Sequence, residues 1–184
     1  MKQLWTGVLA AACLCPGAQA TEKMYGVIGA GYNDAEFIES DASGAAYYVG
    51  LGHQFAPQWY VEGGFKRLFD DIDDDAGAKA DALYLALLGK ASGREGELYY
   101  KLGVMRADVS GGYTVAGEVS GCDYGQVSFG QCRYDEGVFA GLVGFGFDYY
   151  LGLNTMLRFE YEHIRGEHDL SVNTATLGFR YNFN

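Results

Sequence analysis

Between Ala45 and Phe55 the chain alternates with a period of two. Tyr47, Val49, Leu51 and Phe55 fall on one face, and Ala46, Gly50, Gly52 and Gln54 on the other. That period belongs to an extended strand, because successive side chains leave a strand on opposite sides. The split recurs in 59–68, where Trp59, Val61 and Phe65 oppose Glu62, Gly64 and Lys66. It recurs where Phe139, Val143, Phe145 and Phe147 oppose Ala140, Gly144, Gly146 and Asp148. In the last two segments Leu153, Leu157, Phe159 and Tyr161 alternate with Met156, Arg158, Glu160 and Glu162, and Leu177, Phe179, Tyr181 and Phe183 with Thr176, Gly178, Arg180 and Asn182. Charges fall opposite the aromatic rings. Eight segments are readable, at about 24–33, 45–55, 59–68, 80–88, 97–107, 137–148, 154–164 and 171–183.

Alternation alone also fits a soluble sandwich, whose apolar face packs inward. The amino terminus favours the inverse. Lys2, the apolar run Leu9 to Leu14, and Gly17-Ala18-Gln19-Ala20 before Thr21-Glu22-Lys23 have the three regions of a cleaved secretory signal. A lipoprotein signal around Cys13 would want Leu where Ala10 stands. The expected domains are therefore a signal over 1–20 and one barrel over 21–184. Export, segments of about ten residues and aromatic segment ends point to an apolar face turned toward lipid. The expected fold is all-β: an eight-stranded antiparallel up-and-down transmembrane barrel, integral to the outer membrane of a Gram-negative bacterium. An even strand number closes such a sheet without a free edge. No apolar window of eighteen residues follows the signal, so no transmembrane helix is expected.

The connections alternate in character. Ala56-Pro57-Gln58, the stretch around Tyr150-Leu151-Gly152, and Gly89 to Gly96 are the short ones, assigned with both termini to the periplasm. Beside them sit the doublets Trp59-Tyr60, Tyr99-Tyr100 and Tyr149-Tyr150, expected as an interfacial aromatic girdle. The four other connections, Asp34 to Gly44, Phe69 to Lys79, Asp108 to Glu136 and Arg165 to Leu170, hold 16 of the 24 acids and are expected outside the cell.

Composition agrees with this picture: 15% aromatic residues, 28 glycines and only 2 prolines suit many strands rather than disorder or helices. Loss of Lys2 with the signal leaves 12 basic against 24 acidic residues, which excludes nucleic acid as a natural partner. Cys122 and Cys132 are expected as a loop disulfide in an oxidising compartment, since no metal-ligand spacing surrounds them. The acidic run Asp70-Asp71-Ile72-Asp73-Asp74-Asp75 lacks the glycine and closing glutamate of a calcium loop, so no metal site is expected. Its carboxylates would at most bridge cations to lipopolysaccharide phosphates. Eight charges face inward by alternation: Glu62, Lys66, Lys101, Asp148, Arg158, Glu160, Glu162 and Arg180. An eight-stranded barrel is just wide enough to be filled by side chains, so they form either a compensated plug or a gate of exchanging ion pairs.

A family resemblance is carried by Gly146-Phe147-Asp148-Tyr149 leading to Arg158-Phe159-Glu160-Tyr161, by Tyr100-Lys101-Leu102-Gly103 leading to Arg106-Ala107-Asp108, by Pro57 before Val61-Glu62, and by the closing Leu177 to Phe183. Together these resemble the transmembrane domain of outer membrane protein A, a pattern shared by small opacity- and adhesin-type barrels. The resemblance implies that Glu62, Asp148, Arg158 and Glu160 belong to an interior salt-bridge network. The family's lysine on strand four finds Ala86, Leu87 and Leu88 instead, leaving Lys101 as the substitute. The terminal Phe179-x-Tyr181-x-Phe183 is similar to the signal read by the barrel assembly machinery, with Asn184 added.

Small barrels that deacylate lipid A carry a His followed two places on by Ser; here His163 is followed by Ile164 and Arg165. His53, His163 and His168 lie on different segments, so no triad assembles from sequence and no enzyme is expected. No cofactor is called for. The expected function is a monomeric, non-enzymatic envelope protein whose acidic loops serve surface integrity, adhesion or host contact, with Tyr113, Tyr124, Phe129 and Tyr134 in the largest loop as adaptable contact residues. The alternative is a narrow porin gated by the interior ions. Expected partners are outer-membrane lipid and lipopolysaccharide, the assembly machinery, and a host or surface ligand at the loops.

Overall fold

The computed structural model describes residues 23–37, 40–71, 78–114, 126–128, 131–167 and 170–183. The expected signal segment, 1–20, lies outside them. Among the described residues nine strands run in chain order: β1 (Met24–Phe37), β2 (Ser40–Ala56), β3 (Trp59–Asp71), β4 (Ala78–Ser92), β5 (Gly96–Thr114), β6 (Gln126–Ser128), β7 (Gln131–Tyr150), β8 (Thr155–Gly166) and β9 (Ser171–Asn182). Each long strand pairs antiparallel with its sequence neighbours. β1 pairs β9, and β5 pairs β7, so eight strands close into an antiparallel barrel. The three-residue β6 is a small addition beside the far end of β7.

One end of the barrel carries Met24, Asn182 and three short connections; it is called the turn end. The other carries the long antiparallel hairpins and is called the hairpin end. At the turn end Pro57 and Gln58 link β2 to β3, with Gln58 at φ 69°. Proline followed by a positive φ is the pattern of a type II turn. The connection read as Gly89 to Gly96 is much tighter, because β4 runs on to Ser92 and only 93–95 turn. Strands overshoot their expected limits at the hairpin end as well. β1 and β2 stay paired to Phe37–Ser40, and β5 and β7 to Thr114–Gln131.

Residues that alternate along each strand alternate between solvent and interior. Ile28, Val49, Leu51, Leu83, Val104, Phe145 and Phe179 point outward and are all at least half exposed, whereas the inward positions are buried. So broad an apolar surface far exceeds what a water-soluble monomer carries. It requires lipid as its solvent.

The polarity of the two faces inverts toward the hairpin end, with the strand phase kept on β5 and a register shift between Arg67 and Phe69 on β3. On β3 outward Phe65 and inward Lys66 give way to outward Arg67 and inward Leu68. On β5 outward Val104 and inward Lys101 give way to outward Arg106 and Asp108 with inward Ala107 and Val109. β1, β4, β8 and β9 change over near Asp34, Asp81, Arg165 and Asn173. Beyond that level the barrel is an ordinary dry-inside, wet-outside sheet. Short segments read from sequence stopped there because the aromatic-outward signal stops there.

Small inward residues let the aromatic rings lie flat across the lumen. Gly29 and Gly178 face each other on β1 and β9 beneath Tyr48. A Cβ at Gly178 would stand 2.5 Å from the Ile28 carbonyl oxygen and 2.9 Å from the Tyr48 hydroxyl. Overpacking of this kind costs about 1–3 kcal/mol. Gly178→Ala is therefore expected to lower the urea midpoint of the barrel refolded in detergent, read from heat-modifiable gel mobility. An unchanged midpoint would show that the β1 backbone at Ile28 and the Tyr48 ring both give way freely.

Candidate functional site

Among the described residues ten charged side chains are buried inside the barrel: Lys66, Lys90, Lys101, Arg158 and Arg180 against Glu62, Glu97, Asp148, Glu160 and Glu162. Five cations meet five anions, so this described set is formally neutral. Each pair has to compensate desolvation that would otherwise cost several kcal/mol per ion.

The ions form two layers. Nearest the turn end, Asp148 accepts from Lys90 at 2.7 Å and from Arg180 at 3.0 Å, and Glu97 accepts from Arg180 at 2.6 Å and from Lys90 at 3.2 Å. Tyrosine rings wall this layer. The Arg180 guanidinium carbon lies 4.1 Å from the Tyr25 ring centre, and Lys90 Nζ 4.8 Å from that of Tyr60, geometries in which the ring quadrupole attracts a cation.

The second layer is built on Glu62. It accepts from Tyr25 at 2.9 Å and Tyr84 at 3.1 Å, and Lys101 Nζ lies 3.0 Å from its Oε1. Lys101 also reaches Glu160 at 3.3 Å and lies 2.9 Å from Glu162 Oε1 without the alignment of a hydrogen bond. Lys66 pairs with Glu162, and Tyr99 donates to Glu160 at 2.7 Å.

Arg158 joins the layers. Its Nε and Nη2 grip Asp148 in a fork at 2.7 and 3.0 Å, and its Nη1 donates to Glu62 at 2.8 Å. Planar bidentate geometry of this kind is specific to arginine. Above both layers the lumen turns apolar. Leu68, Met105, Val109, Val138, Leu142, Ile164, Leu170 and Val172 are all buried there.

All eight inward charges expected from alternation lie in these two layers. Lys90 and Glu97 escaped notice. Lys90 was placed in a turn, yet β4 continues through it with the parity of Tyr84, Ala86 and Leu88. Glu97 opens the expected segment 97–107 and shares the parity of Tyr99 and Lys101, so the same alternation marks it as inward. Lys90 also corrects the expectation that β4 supplies no interior lysine. The lysine sits nearer the turn end than the Ala86 to Leu88 stretch.

The girdle needs a correction of the same origin. Trp59, Tyr100 and Tyr149 are exposed outward, but Tyr60 and Tyr99 are buried in the lumen and Tyr150 is half-buried on the inward side. Adjacent residues of a strand cannot share a face. Each doublet thus gives one ring to the lipid boundary and one to the interior; Trp59 meets Tyr100 edge-on at 5.9 Å.

His53 is exposed on the outward face, and His163 Nδ1 lies 2.9 Å from the Asn173 side-chain oxygen. Among the described residues no three His, Cys, Asp or Glu side chains converge on a metal position. Cys122, the side chain of Cys132, His168, and from the acidic run residues 72–75 and the side chains of Asp70 and Asp71 lie outside the described residues.

The model of the outer membrane protein beta-barrel domain matches residues 6–183. The chain belongs to that family. Solved barrels with the same fold include neisserial surface protein A, at 12% identity and a TM-score of 0.64 over 88% of this chain and 98% of that one. They include Ail, the attachment invasion locus protein of Yersinia pestis, at 17% identity and 0.58 over 87% and 98%. The N-terminal barrel of Pseudomonas aeruginosa OprF matches at 13% and 0.59 over 88% and 98%. No curated protein matches the chain. Membership makes this an integral outer-membrane barrel.

Arg158 holds two carboxylates that would repel each other without it. Arg158→Ala is expected to remove about 3–5 kcal/mol of unfolding free energy, measured by urea titration in detergent micelles, and Arg158→Lys to fall between it and the parent. Equal stability of all three would show that the two layers do not depend on this link.

Proposed function

We propose that the barrel is a closed, non-enzymatic anchor with its turn end in the periplasm and its hairpins presented outside the cell. The observation that carries this reading is the lumen: a neutral, fully paired ionic plug is followed by an apolar stretch from Leu68 to Val172. An ion would have to break the pairs, pass the buried Asn33 and Thr174, and then cross the apolar side chains of the collar, which cannot replace its water.

The hairpins supply what an anchor would present. Their four connections hold 16 acids against Lys79, Arg133 and Arg165. Attachment is the role named for Ail, and a second Ail structure holds the heparin analogue sucrose octasulfate. A polyanion of that kind would be repelled by acidic hairpins, so the contact proposed for this chain is with a cationic surface or a basic protein.

The narrow porin is the second reading, favoured by Arg158 and Lys101 competing for Glu62. Planar-bilayer recording separates the two. The anchor predicts silence from the native protein and continued silence after Arg158→Ala, because the collar remains. Discrete openings that change size or frequency in Arg158→Ala would establish the pore and discard the anchor.

A further inference from the structure

Among the described residues seven buried side-chain polar atoms have no hydrogen-bond partner, and six of them lie on one part of the inner wall. They are both polar atoms of the Asn33 side chain, the hydroxyls of Tyr48, Thr174 and Thr176, and Glu162 Oε1. Register explains the gathering. Asn33 on β1 stands opposite Thr174 on β9, and Thr174 opposite Glu162 on β8. Two residues nearer the turn end Thr176 stands between Gly31 and Glu160. Two residues further the Tyr48 ring crosses Gly29 and sets its hydroxyl over Gly178. All five side chains are more than nine-tenths buried.

The wall leaves room beside this row. Gly44 on β2 pairs with Asn33 from the other side and shares the inward parity of Ala46 and Tyr48. A Cβ placed on Gly44 would meet nothing within 4 Å, whereas one on Gly29, Gly52 or Gly178 would strike a tyrosine. The next row toward the hairpin end closes over the site with Ala35, Val172, Ile164 and Leu142, all buried.

Polar groups that neither meet one another nor face solvent are rare in a native interior, because nothing offsets their desolvation. Six such atoms in one place, with open space beside them, point to a small ligand that hydrogen-bonds to them together. The neighbours decide its charge. Glu162 pairs with Lys66 and lies 2.9 Å from Lys101 Nζ, so a metal cation on Oε1 would face two ammonium groups. An anion would face Glu160 and Glu162. The amide and the hydroxyls each donate and accept, which suits a neutral molecule that does the same. We propose that the row Asn33, Thr174, Thr176 and Tyr48, with Glu162 at its end, is a binding site for structural water, held between the ionic layers and the apolar collar. A buried water makes about three hydrogen bonds, so the six atoms hold a cluster of about two. That cluster gives Glu162 Oε1 the aligned hydrogen bond that Lys101 does not supply. Neither the orientation of the barrel nor its closure to ions enters this assignment.

X-ray hydroxyl-radical labelling of the full barrel in detergent tests the site, because radicals form on water held inside a protein. Tyr48 and Tyr99 are a matched pair: each is 2% exposed, but the Tyr99 hydroxyl is already satisfied by Glu160. Tyr48 is expected to be oxidised about fivefold faster than Tyr99 or more. The near-isosteric changes Asn33→Leu and Thr174→Val add a test by sign. Each takes a partner from the water and is expected to lower the urea midpoint, and the double variant should label Tyr48 no faster than Tyr99. If the groups were dry, the same changes would remove uncompensated desolvation and raise the midpoint. Equally slow labelling of the two tyrosines in the native barrel overturns the proposal without recourse to any variant, as does a raised midpoint in either single variant. A native midpoint that climbs with sodium or potassium chloride, but not with choline chloride at equal ionic strength, assigns the site to a monovalent cation and overturns it as well. Folding of each variant is read from heat-modifiable mobility.

Discussion

A guanidinium held between two carboxylates organises the interior. Arg158 forks onto Asp148 on the neighbouring strand and reaches across the lumen to Glu62. One contact is local in the sheet and the other spans the barrel, so a single side chain ties the ladder on one wall to the ladder opposite. The remaining ions are arranged around its two partners. Lys90 and Arg180 share Asp148, Lys101 shares Glu62, and the tyrosines supply the remaining donors and ring faces. Neutrality follows from necessity, because a surplus charge in so narrow a space has neither bulk water nor counter-ion to meet it.

This interior also explains the glycines and tyrosines of the inward face. A lumen filled with long charged side chains leaves little room at the wall, so strands offer glycine where a ring or an ion pair crosses. Gly29 and Gly178 beneath Tyr48 are one such crossing. Tyrosine is suited to the task because its ring covers backbone and attracts cations while its hydroxyl donates to a carboxylate. Tyr25 does all three, lying over Gly52, facing Arg180 and donating to Glu62.

The barrel was legible from sequence because the strand period is unambiguous wherever large outward residues oppose small or charged inward ones, as in 154–164 and 171–183. The inward charges on β3, β5, β7, β8 and β9 followed from the same parity. What escaped had lost contrast between the faces. Lys90 lies between Gly89 and Ala91, where no large outward residue marks the phase, and it passed for a turn residue. The tyrosine doublets were grouped by proximity to turns, although parity assigns their members to opposite sides. The apolar upper lumen was missed because branched inward residues such as Val109 and Ile164 stand beside charged outward ones, a pattern that in isolation describes a soluble sheet. No single strand reveals that both patterns occur on it, one above the other.

The level at which the two patterns meet acts as a waterline. Sinking the barrel by one strand repeat, about 7 Å along the chain, would push Arg67, Asp81 and Arg106 among acyl chains, and raising it would lift Phe65, Leu83 and Val104 into water. Both errors are penalised on several strands together, so the draught of the molecule is set to within a residue pair. From that line β5 continues from Arg106 to Thr114, which at about 3.3 Å per residue and a tilt near 40° lifts its tip roughly 20 Å above the surface. Whatever meets the longest hairpin meets it at that height, clear of the headgroups, on a mast whose footing cannot slip.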